Sequence, residues 1–116
     1  MVVCTTAALT ACATKTAPVA LSPQAEQGAA VARSKGCLVC HSTDGKPKGM
    51  GPTWKGLLGK PRDMIDGTTV IADGAYIRLS ITNPAAQRLI TANTAMPVVP
   101  LSDQEVNLLV AYISEL

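Results

Sequence analysis

Phenylalanine is absent from the 116 residues, and the other aromatic residues amount to one tryptophan and two tyrosines. A packed interior must therefore be built from alanine, valine, leucine and isoleucine, or be completed by a group that is not a side chain. Charge is also scarce: 16% of residues are charged and 47% are hydrophobic, which excludes a disordered polyelectrolyte and predicts a globular domain. No apolar run approaches the ~20 residues that span a bilayer as a helix, so the folded domain is expected to stay out of the membrane interior. There is no dense basic run interleaved with aromatics, which argues against nucleic acid as a partner. Histidine occurs once. Of the four cysteines, Cys4 and Cys12 lie near the start and leave only Cys37 and Cys40 further on, too few for a disulfide framework. The length predicts one small domain, near the size at which a single core is only just sufficient, so a bound group would contribute to folding.

The charge that is present is unevenly spread. Arg33, Lys35, Lys46, Lys48, Lys55, Lys60 and Arg62 face only Asp44, a net of +6 over residues 33–62. From Asp63 onward, Arg78 and Arg88 are outweighed by Asp63, Asp66, Asp73, Asp103, Glu105 and Glu115, a net of −4. This pattern fits either two solvated faces or a basic docking surface for an acidic partner.

The opening MVVCTTAALTAC is small and apolar, as the remnant of an export signal would be. Within it LTAC, ending at Cys12, resembles a bacterial lipobox, which implies lipidation of Cys12 at the mature amino terminus. The apolar run is short and lacks a basic start, as though translation began upstream; an ordinary secretory signal is the alternative. We divide the chain into a leader (1–12), a tether (13–22) and a domain (23–116). Ten extended tether residues would reach about 35 Å at about 3.5 Å each, enough for an anchored domain to search a membrane surface.

Ser22 and Pro23 form an N-cap and first-turn proline, predicting a helix over 24–35 that ends at Gly36. Its apolar residues are small: Ala25, Ala29, Val31 and Ala32. Ser102 and Glu105 form a capping box, with Leu101 and Val106 placed as a hydrophobic staple. Val106, Leu109, Val110 and Ile113 then repeat as one buried face of a terminal helix. Asp73 caps a third helix that stops before Asn83 and Pro84. Asp66-Gly67 predicts a hairpin or extended loop within 63–73, and TWKGLLG one short helical turn. The result is a mostly helical domain.

The chemistry concentrates in Cys37-Leu38-Val39-Cys40-His41. C-x-x-C-H is the spacing of c-type haem attachment: two thiols can add to the two vinyl groups on one haem edge, and the adjacent imidazole becomes an axial ligand. A structural zinc site needs four ligands, and His41 is the only histidine. A redox dithiol of the thioredoxin kind sits after a strand in a βαβ unit, which the pattern lacks. One covalently attached haem c is the predicted cofactor. The sixth iron ligand is then methionine, lysine or absent. Met96, stiffened by Pro97 and far enough along the chain to reach the opposite haem face, is favoured over Met50 and Met64; any of them could instead be core filler.

The order GCLVCH, GPTWKGLLGK, VIADGAYIRLSITNP, AMP and LSDQEVNLLVAYISEL resembles a class I c-type cytochrome. It is most similar to the cytochrome c domain fused to subunit II of some haem–copper oxidases. The resemblance spans roughly residues 24–116. It implies an all-α cytochrome c fold, with the first and last helices crossing beside one covalent haem and a small hairpin or loop insertion. It also implies that the Pro52 carbonyl accepts the His41 ring N–H, that Trp54 packs against the porphyrin, and that Tyr112 faces the first helix. Ala32 stands where the family commonly has a large aromatic. With no copper domain or membrane helix in its sequence, the chain reads as a stand-alone relative.

The expected function is electron transfer in a bacterial respiratory chain, with His41 and Met96 filling the iron so that no substrate site remains; this is a carrier, not an enzyme. Its partners would be redox proteins, a terminal oxidase among them. Its place would be the periplasm or outer surface, on a lipid anchor. The alternatives are a haem sensor or peroxidase-like protein with a labile sixth ligand, and a fixed subunit of a larger oxidoreductase.

Overall fold

The computed structural model of the protein describes residues 18–116; the expected leader, its Cys12 and the first part of the tether lie outside the described residues. Three helices and one small hairpin make up the domain. Helix α1 (Pro23–Ser34) starts as its sequence dictates: Ser22 Oγ accepts the Ala25 N–H at 3.1 Å and Pro23 occupies the first turn. It ends where Gly36 takes a left-handed φ of 75°, a conformation that costs glycine little. Strands β1 (Pro61–Asp63) and β2 (Thr69–Ile71) pair antiparallel with Arg62 opposite Val70. Met64 makes one further bridge to Leu89, adding the 88–90 segment to the edge of this sheet.

Asp73 caps α2 (Gly74–Thr82) by accepting the Tyr76 N–H at 2.7 Å, and Pro84 opens a separate single turn beyond it. Helix α3 (Asp103–Ser114) has both halves of its capping box: Ser102 Oγ accepts from the Glu105 N–H, and Glu105 Oε2 accepts from the Ser102 N–H. These polar groups satisfy orphan donors at the helix start.

The core joins Ala25, Ala29 and Ala32 of α1 to Ile77 and Ile81 of α2 and to Val106, Leu109, Tyr112 and Ile113 of α3, with Trp54, Leu57 and Ala72 from the connections. Helices α1 and α3 cross against one another, and Tyr112 does face the first helix. The crossing is closest at Gly28, where an added Cβ would lie 2.0 Å from the Leu108 carbonyl oxygen and 2.7 Å from Tyr112 Cβ. Val110, expected on the buried face of α3, is half-buried; Gly28 and Tyr112 hold the contact instead, and Val110 turns toward Gly74 at the start of α2.

TWKGLLG does not make a helical turn. Two successive tight turns replace it, with Leu57 N–H donating to Trp54 O at 3.0 Å and Lys60 N–H to Leu57 O at 3.1 Å. Gly56 and Gly59 adopt φ of 63° and 81°, left-handed values that break a right-handed helix. These turns are fixed to the rest of the fold by Gly56 N–H to Leu116 O and Gly59 N–H to Ala72 O. The two outer helices are also joined at their far ends: Ser22 donates to Glu115 through both its N–H, at 2.8 Å, and its hydroxyl, at 2.6 Å. Those two bonds hold the exposed Glu115 carboxyl below the usual carboxylate range.

Candidate functional site

The Cys-x-x-Cys-His segment winds into a single tight turn over Cys37–Val39 directly after Gly36. The N–H groups of Cys40 and His41 both reach the Cys37 carbonyl. In so tight a turn, side chains three apart eclipse, which sets the two thiols on one side. Cys37 and Cys40 are free and half-buried, and burial pushes the Cys37 thiol above its ordinary value.

His41 is buried, at 8% exposure. Its Nδ1 lies 2.9 Å from the Pro52 carbonyl oxygen. A carbonyl can only accept, so Nδ1 carries the proton and donates, which leaves Nε2 as the lone-pair nitrogen able to bind a metal. Burial lowers the His41 pKa, and the bond to Pro52 opposes this in part. The ring is neutral in the pH range where metal binding needs it to be. Trp54 stacks on the imidazole, with centroids 4.9 Å apart and planes 23° from parallel, and meets Tyr112 edge-on. The loop between His41 and Trp54 is closed by the Trp54 N–H donating to Ser42 O at 2.8 Å.

Gly51 supplies the space for this arrangement. A Cβ there would lie 2.7 Å from His41 Cε1 and 2.8 Å from Nδ1. Gly51→Ala should push the ring off Pro52 and cost about 1–3 kcal/mol of stability. A variant with unchanged stability and unchanged His41 ring resonances would contradict this reading.

Cys37, Cys40, His41, Trp54 and Met96 all line one cleft, whose remaining walls are mainly apolar, among them Ile81, Leu109 and Ile113. Residues far apart in sequence are thus gathered along one cleft. Pro52 is the exception: it backs His41 through its carbonyl and itself lines a neighbouring cavity with Met50, Leu57, Lys60, Arg62 and Leu89. Met64, the other methionine considered, is buried at 4% exposure beneath the hairpin and lines neither cavity.

Two site features escaped the sequence reading. Arg62 appeared only as one more positive charge, yet its Nε is buried with no hydrogen-bond partner among the described residues; a buried cationic donor of this kind calls for an acceptor. Lys35 was counted among the docking cations, but its Nζ is 3.1 Å from Glu105 Oε1, so its charge is already paired.

The family model described as Cytochrome c matches residues 25–116. No curated protein matches the chain.

Proposed function

The chain belongs to the cytochrome c family, and from that premise we propose that it is a single-haem electron carrier of a bacterial respiratory chain whose iron is held between His41 and Met96. Membership makes it a haem-based electron-transfer protein with covalently attached haem c. The residues present fit that group. The thiol-lined cleft is walled mainly by apolar side chains, Ile81, Leu109 and Ile113 among them, as the flat apolar face of a porphyrin requires. The unpartnered Arg62 Nε, with Lys60 beside it along the neighbouring cavity, suits the carboxylate edge of a porphyrin.

On this reading Cys37 and Cys40 would hold the macrocycle by thioether bonds, while the His41 nitrogen, fixed by Pro52, and the Met96 sulfur would bind its iron. Trp54 stacks on the His41 ring and lines the same cleft. Bound haem supplies one-electron chemistry, its iron alternating between ferrous and ferric states, and a methionine sulfur opposite histidine raises the potential relative to two nitrogens. The observation that carries the proposal is the single cleft shared by both cysteines, His41 and Met96. Its test is the spectrum of the oxidised holoprotein. A weak band of methionine-bound ferric haem at the red edge of the visible range should be present in the wild type and lost in Met96→Ala. A wild type without it, or a reduced wild type that readily binds carbon monoxide, would move the sensor or peroxidase-like reading forward. The 37% exposure of Met96 is the one observation favouring that alternative.

The finer kinship, with the domain fused to subunit II of haem–copper oxidases, rests on the order of the motifs from GCLVCH to LSDQEVNLLVAYISEL and makes a terminal oxidase a natural partner. Lys46, Lys48 and Lys55 are exposed and basic on the haem-attachment half, so the partner's docking face is acidic. Transfer to it should slow as ionic strength rises, because exposed charges are screened within about 8 Å at physiological salt; a salt-independent rate would count against this surface. No helix of the described residues is long and apolar enough to cross a membrane. Export, with attachment through a lipid on Cys12, completes the proposal.

A further inference from the structure

Met96 sits in a segment with little to hold it. Over residues 93–100 no backbone-to-backbone hydrogen bond forms among the described residues. The side chains add one long contact near the start, Thr94 Oγ1 to Met50 O at 3.5 Å. Residues 93–98 and Pro100 are exposed, and Val99 alone is half-buried. At the far end the segment has a second polar hold: Lys35 Nζ donates to Pro100 O at 3.4 Å while it pairs with Glu105 Oε1 at 3.1 Å. This is the one salt bridge among the described residues.

Lys35 is well placed to matter. It is the C-cap of α1, immediately before Gly36 and the haem-attachment turn. Glu105 is fixed in its turn by the α3 capping box, where its Oε2 accepts the Ser102 N–H at 2.8 Å. One ammonium group therefore links three elements: the turn bearing the cysteines, the end of the Met96 segment, and the start of α3. Pro97 and Pro100 stiffen the stretch between the sulfur and this link, so a displacement at Pro100 is passed toward Met96 rather than absorbed by the backbone.

We infer that Lys35 is a positioning residue for the distal ligand: its bridge from Glu105 to the Pro100 carbonyl holds the Met96 segment against the haem cleft and so sets how readily Met96 leaves the iron. The inference rests on the proposed ligation by Met96.

The test uses the haem-loaded full chain and titrates ferric protein with imidazole, a competitor for the sixth position, alongside thermal unfolding. Lys35→Met keeps the length of the side chain and removes both contacts. It should bind imidazole about tenfold more tightly than wild type, the equivalent of one charge-assisted hydrogen bond, and Lys35→Arg should restore most of the difference. Glu105→Gln retains a capping acceptor and removes the ion pair, and should shift the affinity in the same direction by less. It also serves if Lys35→Met does not mature. Unchanged imidazole affinity in Lys35→Met and Glu105→Gln, even with a lowered melting temperature, would overturn the positioning role while leaving Met96 ligation intact. If the wild type lacks the methionine-to-iron band, or Met96→Ala retains it, the ligation reading fails and this inference with it.

Discussion

Gly28→Ala should destabilise the holoprotein by at least about 3 kcal/mol, although helix propensity alone would credit the change with a gain of about 1 kcal/mol. The two expectations differ in sign, which makes the experiment decisive. The new methyl carbon would stand 2.0 Å from the Leu108 carbonyl oxygen and 2.7 Å from the Leu108 carbonyl carbon. Both belong to the backbone of α3, so no rotamer change can clear them; the helices must separate along the crossing. Separation would also loosen Ala25, Ala29 and Ala32 from Leu109 and Tyr112, all part of the same cluster. For a domain of this size the loss corresponds to a melting temperature lower by roughly 12 to 24 °C. Ala30→Gly, at an exposed position of the same helix, should cost only about 1 kcal/mol. If Gly28→Ala melts within a few degrees of wild type, the close crossing is not what holds α1 to α3.

The double variant Cys37→Ala, Cys40→Ala should yield a chain with no cooperative thermal transition, read by far-ultraviolet circular dichroism. Several of the large apolar side chains that make the core, Trp54, Ile81, Leu109 and Ile113, are at the same time walls of the thiol-lined cleft. With no haem tethered there, each loses the packing partner on its cleft side. What remains on the α1 side is mostly alanine, and Leu109 alone among large side chains falls below 2% exposure. Apolar burial stabilises by about 25 cal/mol per Å², and three alanines supply little of that area. The ordering entropy of the backbone, about 1–2 kcal/mol per residue, is not reduced in proportion. A sharp melting transition in the haem-free double variant would show that side chains alone form a sufficient core.

Local chemistry made the helix limits legible. Ser22, Asp73 and Ser102 each cap the helix that their sequence neighbourhood announces, because a cap is an interaction between residues two or three apart. Cys37, Cys40 and His41 were legible for the same reason. What could not be read were relations that exist only once distant segments meet. Gly28 carries no signal in its own neighbourhood; only the Leu108 carbonyl opposite gives it a purpose. Gly51 likewise makes sense through the imidazole that occupies its missing side chain. Lys35 passed for a docking cation because nothing in its own neighbourhood foretells Glu105, seventy positions on. TWKGLLG departs from the expected helical turn because the left-handed backbone of its two glycines decides the path.

The bonds between Ser22 and Glu115 have a topological meaning. Glu115 directly follows the last helix, and Ser22 precedes the first, so the polypeptide enters the folded domain and leaves it at one corner. A domain with neighbouring ends behaves as a cassette: it can be spliced after another protein, before one, or into a surface loop, with no stretch of linker needed to span its body.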